Sequence, residues 1–198
     1  CYLECFALLA NVYLDVLSKY DWTAPVSDFG EASLDVAMSK HIDFVSSIAN
    51  DCHRVLNVYL LSLSANSASF SAKGNEQFCQ LFFNNSERFR NVIAISVDFL
   101  SCIIYQSLVE VLATRHIYTM WHKESGRTSV SAVVKALHEY FDDFSRFLEK
   151  NPCVLLIDNC LTKLLVWLHC LIVDCTEHCS SLLDTDRSQL LQDVRLIR

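Results

Sequence analysis

Apolar residues recur along this chain at steps of three and four. Leu34, Met38, Ile42, Val45, Ile48, Cys52, Val55, Tyr59 and Leu63 form one such stripe, the spacing that places side chains on one face of an α-helix. It covers about 33 residues, or roughly 50 Å at 1.5 Å per residue. Ahead of it, Asp28 and Glu31 have the spacing of a capping box, in which a cap side chain and a glutamate three residues on satisfy backbone N–H groups reciprocally. A second stripe runs through Phe89, Ile93, Val97, Leu100, Ile104, Leu108 and Leu112 and continues to Tyr118 and Trp121. Between Asn91 and Thr114 only Asp98 and Glu110 are charged, so this helix is apolar nearly all round and belongs at the centre of a bundle. A third stripe, Val130, Val133, Leu137, Tyr140, Phe144 and Phe147, follows a turn at Gly126, with Thr128 or Ser129 as its cap. Its opposite face carries Lys135, Glu139, Asp142, Asp143, Arg146 and Glu149, in which Lys135–Glu139 and Asp142–Arg146 are i,i+4 pairs of opposite charge.

The segments between these stripes set the organisation. Cys1 to about Tyr20 is apolar on most sides and ends before Trp22-Thr23-Ala24-Pro25. Ser64 to Asn75 is a Ser/Ala/Asn-rich loop, after which a short helix from Glu76 is expected to be interrupted or bent near Asn84-Asn85-Ser86. Asn151-Pro152 restarts the chain, since proline suits the first turn of a helix, and Cys153 to about Cys179 is dense in Leu, Val and Cys. A last amphipathic piece holds Leu190, Leu191, Val194 and Ile197. The chain starts inside a helical pattern and ends without a stop signal, which reads as a segment of a longer helical array. The pattern predicts a first bundle over about 1–121, with the 64–75 loop, and a second over 128–198. Helices approaching three times the usual 11 to 12 residues, laid antiparallel, make a rod. No fixed-period repeat is present, which argues against short-helix solenoids.

Composition sharpens the all-helical reading. The 198 residues include only 3 Gly and 2 Pro, although 52% of the chain is hydrophobic. Sheet proteins need Gly- or Pro-bearing turns every few residues, and phosphate-cradling loops use glycines in clusters, so β-sandwiches, dinucleotide folds, P-loop enzymes and nucleophile-elbow hydrolases are disfavoured. A formal net charge of -7 gives no global attraction to nucleic acid or an anionic membrane. The ten cysteines fall below the density of a disulfide scaffold and sit mainly inside apolar stripes, where free Cys packs as a small hydrophobe; this favours a reduced, intracellular setting. The most apolar windows, Asn91 to Leu112 and Cys153 to Val173, are interrupted by charged residues and read as core helices, with no direct membrane insertion. The sequon Asn84-Asn85-Ser86 bears on the protein only if it is secreted.

Candidate chemistry is sparse. His138-Glu139 lacks the second histidine of a zinc-protease helix, since Asp142 stands there. Cys175, His178 and Cys179 share a face, with His169 and Cys170 nearby; only three ligands converge, short of the four a closed zinc site needs, so no metal and no cofactor are assigned. Asp142 and Asp143 diverge by about 100° around the helix and read as a solvated face rather than an acid–base pair. No spacing singles out a nucleophile with its base, so no catalytic residue is assigned and the chain reads as non-enzymatic.

Leu137-His138-Glu139-Tyr140-Phe141-Asp142-Asp143-Phe144-Ser145-Arg146-Phe147 resembles the "D/E-Y-F-x-D-F" helix in the C-terminal half of the exocyst complex component 3 family. Upstream, Leu108-Val109-Glu110-Val111-Leu112 through Thr114-Arg115-His116 to Met120-Trp121 is similar to the family's helix that ends in a basic pair and a Trp. The valine-rich Ser129 to Val134 stands in the matching order, and Asn84-Asn85-Ser86-Glu87-Arg88-Phe89 is similar to the family's "N-N-C-x-x-F" helix start, with Ile48-Ala49-Asn50-Asp51-Cys52 as a competing match. The likeness spans at most 84 to about 173 and is strongest over 108–147. After Phe147 the family is basic, whereas Leu148 to Cys160 has only Glu149, Lys150 and Asp158 charged.

The resemblance implies stacked helical bundles forming a rod, with Trp121, Tyr140, Phe141 and Phe144 as packing residues and Glu139, Asp142, Asp143 and Arg146 on the polar face. It also implies a subunit of an assembly that tethers secretory vesicles at the plasma membrane before SNARE-mediated fusion. Its partners would be other exocyst-type subunits and SNARE proteins, at cytoplasmic sites of secretion. Two other classes fit the residues alone: a secreted or viral all-helical effector with paired cysteines, and a small zinc-dependent helical protein.

Overall fold

The computed structural model describes residues 2–19, 31–65, 76–113 and 126–178, and among these the chain is all α-helical. Five helices follow in order: α1 (Tyr2–Leu17), α2 (Glu31–Ala65), α3 (Glu76–Ala113), α4 (Gly126–Phe147) and α5 (Lys150–His178). At 35 and 38 residues, α2 and α3 are about 52 and 57 Å long. The capping pair begins outside the described residues at Asp28; α2 starts at its partner, Glu31.

Two compact units are formed, one from Cys1–Leu100 with Phe147–Leu155, the other from Ser101–Arg146 with Leu156–Arg198. In the first, α2 and α3 run antiparallel. His41 meets Phe99 edge-on with ring centroids 4.9 Å apart, while near the other end Tyr59 stacks on Phe82 at 3.7 Å and touches Phe89 edge-on. Along α2, Val45, Ile48, Cys52 and Tyr59 are buried; the turn between Cys52 and Tyr59 is filled by Leu56 rather than by the half-buried Val55. The core stripe of α3 is Phe82, Phe89, Ile93, Val97 and Leu100, and it continues in the second unit as Ile104 and Leu108. Leu112 lies in the same helix, but its side chain is outside the described set.

Two arrangements depart from the sequence pattern. The interruption expected at Asn84-Asn85-Ser86 is absent, and α3 runs unbroken through these residues. Polar side chains break a helix when they compete for its backbone, but here they are accommodated. The Ser86 hydroxyl donates to the Phe82 carbonyl one turn back at 3.0 Å, and Asn85 Nδ2 donates to the Tyr59 hydroxyl at 3.3 Å, both buried. Ser96 and Ser107 bond their own helix in the same way, to Val92 and Ile103. The start of α4 also differs: the helix already includes Gly126 and Arg127, ahead of the expected cap at Thr128 or Ser129.

The N-terminal helix α1 packs on the same unit through Ala10, Leu14 and Leu17. The Arg88 guanidinium ties it to α3, donating to Asn11 Oδ1 and pairing with Asp15 at 2.5 Å. Tyr13 and Cys52 share a hydrogen bond, and burial pushes both groups up to about 12. The other side of α1 presents Leu8, Leu9, Val12 and Val16 to solvent. Within α3, Cys79–Leu108 is long and apolar enough to cross a membrane, yet its Tyr59-facing stripe and buried polar serines are those of a core helix.

Candidate functional site

The helix that carries the aromatic-acidic motif is α4. Its stripe rises by 3.6 residues per turn, and Val133, Leu137 and Phe144 are buried, with Tyr140 and Phe141 half-buried between them. The next apolar position is not Phe147, which is 59% exposed, but Leu148, which is 5% exposed. Phe147 is the last residue of α4, where the helical period ends, and Leu148 in the break that follows takes the buried position instead. The expectation that Phe147 packs is thereby corrected. The side chain of Val130 and the whole of Trp121 lie outside the described residues.

Glu139, Asp142, Asp143 and Arg146 are all exposed. Lys135 and Glu139 pair at 3.7 Å. The expected Asp142–Arg146 pair gives way to Asp143–Arg146 at 3.4 Å, one residue closer along the same face. Both pairs are surface contacts worth a few tenths of a kcal/mol at most.

A polar cluster of the first unit was not singled out by the motifs. It lies where the turn between α4 and α5 meets the middle of α2. A break of two residues, Leu148 and Glu149, separates the two helices, leaving the last carbonyls of α4 and the first amides of α5 without intrahelical partners. Asn50, only 8% exposed, supplies two of those partners with one amide. Its Nδ2 donates to the Phe147 carbonyl at 2.6 Å, and its Oδ1 accepts from the Glu149 N–H at 2.8 Å. Glu149 itself is the cap of α5, because its carbonyl accepts the Cys153 N–H at 2.9 Å. Pro152 then occupies the first turn, where its missing N–H is of no consequence, and is buried with Cys153.

The Glu149 carboxylate is held from α2 by two side chains one residue apart. His53 Nδ1 stands 2.6 Å from Oε2, and the Arg54 Nε donates to Oε1 at 2.5 Å. These two contacts hold the Glu149 carboxyl below its ordinary range, with His53 the larger cause, and in return Glu149 raises the Arg54 guanidinium. On the other side of the imidazole, Nε2 lies 2.9 Å from Asn151 Nδ2 and 3.3 Å from Asn57 Nδ2. The tautomer with hydrogen on Nδ1 fits this geometry: Nδ1–H donates to the carboxylate, and the Nε2 lone pair accepts from Asn151, the nearer amide. A histidine oriented by a carboxylate has the first half of a general-base arrangement, but its second nitrogen is already engaged by amides rather than facing a nucleophile. The cluster acts as a clamp that fastens the α4–α5 turn to α2.

His53 and Glu149 are 96 positions apart, so no local spacing links them. The available signal was a run of polar residues, Asn50, Asp51, His53, Arg54 and Asn57, alternating with the apolar stripe of α2. For the cysteine–histidine group near the C-terminus, His169 and Cys170 are described and Cys170 is exposed; the side chains of Cys175 and His178, and all of Cys179, lie outside the described residues. The sequon sits inside α3, with the Ser86 hydroxyl buried and bonded to its own helix. No family model matches the chain, and no curated protein or solved structure matches it.

Proposed function

We propose that this chain is a non-enzymatic segment of an exocyst-type subunit, one that tethers secretory vesicles to the plasma membrane before SNARE-mediated fusion. The observation that carries the reading is the antiparallel pair α2 and α3, each over 50 Å by length, with side chains packed from His41–Phe99 to Tyr59–Phe82. Helices of that length suit a scaffold that spans distance, and stacking such bundles end to end makes a rod. The motif helix α4 supports the same reading: its buried Phe144 and exposed Glu139, Asp142, Asp143 and Arg146 divide into a packing side and a polar side. The clamp around His53 also fits a structural role, since both ring nitrogens are engaged in holding a turn. Other exocyst-type subunits and SNARE proteins are the partners in this reading, in the cytoplasm at sites of secretion.

Affinity capture of the protein from cells, under conditions that preserve large assemblies, tests it. Co-recovery of other tethering subunits is the expected result. Recovery with none of them overturns the proposal.

A further inference from the structure

We draw no further inference here: the strongest candidate, the apolar face of α1 formed by Leu8, Leu9, Val12 and Val16, is exposed, but nothing in the structure shows what covers it.

Discussion

At the scale of single residues, Asn50 has a structural consequence that no motif on α4 signalled. One amide closes both sides of a helix-to-helix break, so Asn50→Ala leaves a carbonyl and an N–H in a part-buried setting at once. The expected loss is roughly 1–3 kcal/mol, read from the urea midpoint at unchanged m-value. Asn50→Asp keeps the acceptor for the Glu149 N–H but loses the donor to Phe147, so it too should destabilise; a wild-type midpoint for both variants would show that the turn closes without α2. Glu149 gives a pH-dependent test. Its carboxyl is held below the ordinary value of 4.5, so the unfolded chain takes up the proton first as acid is added. The clamp's ionic contribution is therefore complete above the unfolded value and disappears as the pH falls through the lower folded one. Comparing wild type with Glu149→Gln, the stability gap should be constant at neutral pH and close in acid. A gap that persists undiminished well below the carboxylate range would mean that the carboxylate charge contributes nothing.

At the scale of elements, helix phase decides which aromatic of α4 matters. Phe144→Ala should cost about 3–5 kcal/mol and Leu148→Ala about 2–5, whereas Phe147→Ala should stay within about 0.5, all measured by chemical denaturation. Equal losses at Phe144 and Phe147 would place the stripe one residue out of register. This helix also shows what the amino-acid pattern could and could not convey. The long stripes of α2 and α3 were legible because burial repeats every three or four residues over many turns, and one misassigned position cannot change the period. At a helix end that averaging is lost: Phe147 and Leu148 are both apolar, and only the termination of α4 at Phe147 and the approach of α2 separate them. Polar side chains inside α3 misled for a related reason. Asn85 and Ser86 look like a break when considered locally, but Tyr59 from another helix and the Phe82 carbonyl from the preceding turn absorb them. The His53–Glu149 clamp, joining residues 96 positions apart, leaves no periodic trace at all.

For the whole molecule, the cysteines connect the packing to the choice between a cytoplasmic scaffold and a secreted effector. Among the described residues Cys52, Cys79, Cys102, Cys153, Cys160 and Cys170 are free thiols. Burial pushes Cys52 and Cys160 up to about 12 and raises Cys153, so at mildly alkaline pH these three stay protonated, and the thiolate is the reactive form. Cys170 is exposed and open to reagent. Brief treatment of the native chain with iodoacetamide should therefore alkylate Cys170 well before Cys52, Cys153 or Cys160, which should react only once denaturant opens the core. Intact mass without reductant should equal that of the fully reduced chain, because each disulfide removes a pair of hydrogen atoms. A mass lowered by such pairs, together with resistance of Cys52 and Cys160 to alkylation even in denaturant, would mean that bonds between cysteines hold this molecule together. That outcome would move the functional reading to the oxidising compartments where disulfides persist, and away from vesicle tethering in the cytoplasm.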